Sequence, residues 1–169
     1  MSVSETDTAD EQDAGVGPNA NSLIIGVDVG QHIEGQNMGI GITAANVMNQ
    51  ICATWMLKER SNGSVVLDNL VAIQLALCKL KERGWLDIKL QIPCNQILKL
   101  MHRQVPSNIR IAAHLECIAD LSSMFRTCSF DSQSSNDSTN TLSHKLSKKA
   151  MHILFDEELF DPQCLSTLL

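Results

Sequence analysis

The octapeptide Leu23-Ile24-Ile25-Gly26-Val27-Asp28-Val29-Gly30 constrains the fold more than any other feature of the chain. A short aliphatic, β-branched run ending in glycine predicts a largely buried strand. A polar, glycine-containing turn follows at 31–37, and then residues 38–44 alternate glycine with larger side chains. This second stretch reads as a strand whose glycines mark close approach of another backbone. Residues 50–58 read as a third strand, after a turn near Asn46 to Asn49. Three strands joined by short turns make an antiparallel meander.

Beyond the turn at 60–64 the hydrophobic period changes. Leu67, Leu70, Val71, Ile73, Leu77 and Leu80 form a helical stripe, with Lys79, Lys81 and Arg83 at its end and Gly84 just past it; cations and then glycine are favourable helix C-terminal chemistry. Residues 85–93 alternate with period two, a fourth strand stopped by Pro93. Asn95 is placed to cap a short helix to about His102. A longer helix is expected from Pro106-Ser107 to about Phe125, with Ile109, Ile111, Leu115, Ile118 and Leu121 on its apolar side. Residues 126–131 give a fifth strand, 132–140 a polar loop and 141–155 a closing amphipathic helix.

The expected organisation is a disordered acidic segment at 1–21, a domain at 22–155 and a tail at 156–169. Residues 1–21 hold Glu5, Asp7, Asp10, Glu11 and Asp13 and no Lys or Arg, and offer too little apolar surface to offset ordering entropy. They account for −5 of the net charge of −6, so the remainder is close to neutral and lacks the basic excess that phosphate-gripping domains advertise. No apolar run approaches the roughly 18 residues that span a bilayer, and the first residues have no signal-peptide pattern. Six cysteines, with no CxxC pair, are expected as free thiols, which places the protein in the cytosol or nucleus.

The order βββ-α-β-α-(α)-β-α, with several local motifs, resembles the plant-type ribonuclease H-like family related to retroelement ribonuclease H domains. The motifs are Val27-Asp28-Val29-Gly30, Gly39-Ile40-Gly41, Leu75-Ala76-Leu77, Ile92-Pro93-Cys94-Asn95 and Cys128-Ser129-Phe130. The most specific is the closing block from Asn140 to Ala150, which holds His144 and Leu146. Their order and spacing over residues 22–155 are more specific than any one alone. Holliday-junction resolvases and actin-like ATPases also begin with a Gly-Val-Asp-Val-Gly-type strand. They rank lower, because no second acidic strand end or phosphate loop is present. The resemblance implies an α/β, three-layer fold with a mixed five-stranded sheet, strands 1–3 antiparallel and the later ones parallel to the first.

It also implies a chemistry. The family cuts the RNA strand of RNA–DNA hybrids with two Mg²⁺ ions about 4 Å apart, and such hard, closely spaced charges need several carboxylates. Asp28 matches the first-strand ligand and His144 the last-helix position. Where the family has a first-helix Glu this chain has Val71, with Asn69 or Asp68 offered by a small slip. Where it has a fourth-strand Asp there is Cys94, a soft ligand that Mg²⁺ does not favour. Asp28 and His144 are therefore read as vestigial, Asp28 (with Asp68 as the weaker candidate) as the only metal ligand, and no cofactor is expected unless the domain is active, when it would use Mg²⁺. Lys145, Lys148 and Lys149 are read as a nucleic-acid-binding face; helix-dipole chemistry explains the same cations equally well. Trp55 and Trp85 are read as packing rather than base-stacking residues.

Three functions fit this reading. One is a catalytically degenerate domain that still binds RNA–DNA hybrid or RNA. The second is an active hybrid ribonuclease with an unorthodox metal site. The third is a protein–protein scaffold on an inactive fold.

Overall fold

The computed structural model describes residues 22–132, 138–153 and 155–160. The acidic segment 1–21, residues 133–137 of the polar loop, residue 154 and residues 161–169 with Cys164 lie outside the described residues. The elements are β1 (Leu23–Gly30), β2 (Asn37–Ala45), β3 (Ile51–Arg60), α1 (Val65–Glu82), β4 (Asp87–Ile92), α2 (Asn95–Met101), α3 (Ile109–Ser122), β5 (Thr127–Ser132), α4 (Ser138–Ala150) and β6 (Glu157–Phe160).

The strands form one mixed sheet in the order β5-β4-β1-β2-β3-β6. β1 and β2 pair antiparallel, as do β2 and β3, while β4 runs parallel to β1 and β5 parallel to β4. This is the expected meander with parallel additions, and one strand more. Residues 157–160, expected within a tail, add β6 antiparallel to the free edge of β3. No hydrophobic alternation announces four residues reading Glu-Glu-Leu-Phe; tertiary anchors place them. The Lys58 amide donates to Asp156 Oδ1 at 3.1 Å and the Lys58 ammonium to the Ile153 carbonyl. Lys79 pairs with Glu158 at 3.3 Å, and Arg83 lies over the Phe160 ring. The same turn toward β3 ends α4 at Ala150, five residues before the expected boundary.

Strand pleating sorts the sheet's residues between two faces. Ile25, Val27 and Val29 of β1 and Met38, Ile40 and Ile42 of β2 point one way, into the main core. There they share a cluster with Leu70, Ile73 and Leu77 of α1 and Leu115 and Ile118 of α3. Gly26, Asp28 and Gly30 point the other way, opposite Thr43, Gly41 and Gly39. A Cβ on Gly39 would fall 1.9 Å from the Ser147 carbonyl oxygen, and one on Gly41 2.2 Å from that of Ser143. Helix α4 therefore lies backbone against backbone on this second face, its buried side reading Ser143, Ser147 and Ala150. The glycines of β2 are required by that approach.

Local chemistry fixes the other boundaries. Ser64 caps α1 by accepting from the Leu67 amide at 3.2 Å, and Gly84 takes φ +76° beyond its end. Cys94, rather than Asn95, stands at the start of α2 and makes no side-chain cap. Asn108 caps α3, so Ile109 falls at its first position and is 86 % exposed instead of joining the apolar side. Among the described residues no helix is long and apolar enough to cross a membrane.

Candidate functional site

Asp28 sits on the α4 face of β1 with Gly41 as its neighbour on β2. The absent side chain at Gly41 lets α4 come close enough to reach it. His144 Nδ1 donates to Asp28 Oδ2 at 2.8 Å. The Ser147 hydroxyl lies 2.9 Å from the same carboxylate oxygen and 2.8 Å from the His144 carbonyl, so one proton is shared between two acceptors. One helical turn back, Thr43 Oγ1 and Ser143 Oγ hydrogen-bond at 2.7 Å in full burial. A polar seam thus runs along the helix–sheet contact, dry at Thr43 and opening to solvent at His144, whose side chain is 58 % exposed.

The other sequence candidates do not join Asp28. Asp68 is fully buried near the start of α1. Its Oδ2 accepts from the Ser61 hydroxyl at 2.5 Å and from His32 Nδ1 at 3.0 Å, and its Oδ1 from the Asn62 amide at 2.7 Å. Burial pushes this carboxyl up, but the Ser61 hydroxyl, the Asn62 amide and His32 together outweigh it and hold it below its ordinary value. Asp68 is committed to joining the end of β3 to the segment after β1. Val71 and Cys94 are partly buried against the core, and Asn69 donates to the Val65 carbonyl of its own helix. Among the described residues, no three His, Cys, Asp or Glu side chains are grouped to hold a metal ion. One carboxylate that already accepts from His and Ser, with an apolar Val71 and a soft Cys94 at the positions where further ligands were sought, does not fit the donor set for two Mg²⁺ ions.

With the small side of α4 on the sheet, its cations face outward. His144, Lys145, Lys148 and Lys149 are exposed, His152 follows at the helix end, and α4 contains no Asp or Glu. No described ion pair uses any of the three lysines. At the same end of the helix, His152 and Arg60 line an open polar hollow with Gln31, Gln36 and Asn37. The tryptophans lie elsewhere. Trp55 is buried and meets the rings of Trp85 and Phe160 edge-on, at 6.1 and 5.7 Å between centroids.

Sequence reasoning missed Ser147 and the Asp68–Ser61–His32 group. The signal for Ser147 was its spacing: three residues from His144 and four from Ser143, it must share their helix face. His32 and Asp68 stand 36 residues apart and carried no local signal. The five described cysteines are free, Cys52 buried, Cys117 exposed and the others between. Burial pushes the Cys128 thiol up.

No family model matches the sequence, and no curated protein matches it. Solved structures do match. The ribonuclease H1 of the halophilic archaeon Halobacterium salinarum superposes with TM-score 0.67 at 16 % identity, over 78 % of this chain and 98 % of that one. The N-terminal ribonuclease H domain of a Mycobacterium tuberculosis protein gives 0.64 at 14 %, over 77 % and 98 %. LC11-RNase H1, in complex with an RNA/DNA hybrid, gives 0.61 at 15 %, over 76 % and 99 %. At such identities the likeness speaks for architecture: the chain has the ribonuclease H-like α/β fold.

Proposed function

We propose that this domain binds nucleic acid, an RNA–DNA hybrid or RNA, through Lys145, Lys148 and Lys149 and the sheet end near Asp28, without two-metal cleavage. The observation that carries the reading is the seat of α4. The helix that contacts Asp28 turns all its lysines outward, with no ion pair to them among the described residues, beside the polar hollow that holds Arg60. A row of free cations displaces counterions from a phosphate backbone, and this supplies most sequence-independent affinity. The hybrid-bound state of the structurally similar LC11-RNase H1 supports hybrid as the first ligand to test. Loss of cleavage rests on the donor set: Asp68 is spent on Ser61, Asn62 and His32, and Val71 and Cys94 supply no hard oxygen.

A fluorescent RNA–DNA hybrid titrated across a salt series tests this directly. Binding should weaken steeply with salt, and replacing Lys145, Lys148 and Lys149 by Gln should flatten the slope by about three in log–log terms. The same hybrid incubated with Mg²⁺ or Mn²⁺ should stay intact. The close Asp28–His144 pair favours the alternative of residual hybrid cleavage, and Asp28-dependent cutting would establish it. Absence of binding at low salt would leave the fold as a scaffold for a protein partner.

A further inference from the structure

We infer that the acidic N-terminal segment folds back on the outer face of α4 and competes there with nucleic acid; the competition rests on the binding function proposed above, the contact itself does not. Two charge distributions carry the inference. Residues 1–21 contain five carboxylates and no Lys or Arg. Helix α4 contains Lys145, Lys148 and Lys149 and no acid, with His144 beside them and His152 beyond its end. Elsewhere the lysines are dispersed: Lys79 pairs with Glu158, the Lys58 ammonium reaches the Ile153 carbonyl, and Lys81, Lys89 and Lys99 stand apart on other elements. The α4 face thus gathers three lysines on one acid-free helix, and among the described residues no ion pair uses them.

The topology makes the contact short-range. The acidic segment enters the fold at Ser22, immediately before β1. Gly26, a few residues along β1, pairs with Thr43, which bonds Ser143 of α4. The buried side of α4 is therefore met about 13 Å along the strand from the entry point, and the outward lysines lie about 10 Å beyond it, across the helix. Asp13, nine residues before Ser22, can reach about 30 Å, so the whole face is within range of every acid on the segment. A tether of this length gives an effective concentration of order millimolar. Single exposed pairs are weak, but five carboxylates against three clustered ammonium groups act together, and salt screens them over about 8 Å at physiological strength.

Two measurements on the full chain decide the matter. Carbodiimide cross-linking, which joins carboxylates to lysines in contact, should link Glu5 to Asp13 preferentially with Lys145, Lys148 and Lys149 at low salt, and lose those links at high salt. Links spread evenly over exposed Lys81, Lys89 and Lys99, or none from the segment, would overturn the contact. Hybrid affinity should then rise about three- to tenfold at low salt when the five acids are replaced by their amides (E5Q, D7N, D10N, E11Q, D13N), and the gain should vanish near molar salt. An unchanged affinity would overturn the competition. If neither chain binds hybrid, the binding function falls, and with it the competition, while the cross-links still judge the contact.

Discussion

Asp28 and His144, 116 residues apart in sequence, meet at 2.8 Å across the contact between β1 and α4. In an active two-metal site an Asp at this place would turn its oxygens to cations; here one oxygen takes a His and a Ser. The carboxylate works as a tie between helix and sheet. Millimolar Mg²⁺ should therefore leave the melting temperature unchanged within about 1 °C, since a ligand that does not bind the native state cannot stabilise it. A rise of several degrees that D28N abolishes would show a working metal site.

The glycines of β2 set a sharper test. Gly41→Ala forces a methyl group into the Ser143 carbonyl and the Ser147 amide of α4. Backbone on both sides has no rotamer to yield, so the cost should reach about 3 kcal/mol or more, seen as a fall in denaturant midpoint. Gly30→Ala, where a Cβ would find ordinary contacts at 3.6 Å and beyond, is the control and should cost much less.

Asp68 predicts an acid limb. Its folded-state pKa lies below the ordinary 3.8, so its stabilisation is complete above that value and is lost as the pH falls through the lower folded-state one. Asp68→Asn should flatten the dependence of unfolding free energy on pH below about 4. Asp68→Ala, which strands the Ser61 hydroxyl and the Asn62 amide, should cost about 2 kcal/mol at neutral pH. Equal acid slopes in wild type and D68N, from urea melts at each pH, would remove Asp68 from that role.

Phe160 is the aromatic anchor of β6, edge-on to Trp55 and beneath the Arg83 guanidinium. Phe160→Ala should cost about 1–3 kcal/mol and shift tryptophan emission to the red as Trp55 gains water. Emission at the wild-type wavelength would mean that Trp55 stays covered without it.

What could be read in the sequence followed the range of each signal. Strands β1 to β3 and helix α1 announce themselves by period and by end signals such as Gly84, which act within a few residues. Asp28 and His144 each sit inside a short motif, and the fold brings the two side chains together. Strand β6 was not legible, since Lys58, Lys79 and Arg83 hold it from far along the chain. Nor was the fate of Asp68: its slip toward the first-helix acid position looked like metal chemistry, and only folding shows it facing Ser61 and His32.

Gly39 and Gly41 also bear on how freely this surface can change. They register α4 by what is missing from the strand, so the helix is held along its inner side whatever it carries outside. The residues at 145, 148 and 149 can therefore be recoded, from lysine to neutral or acidic, without unseating the helix. A domain built this way can lose one ligand and acquire another by substitutions confined to a single exposed strip, while the rest of the fold is inherited unchanged.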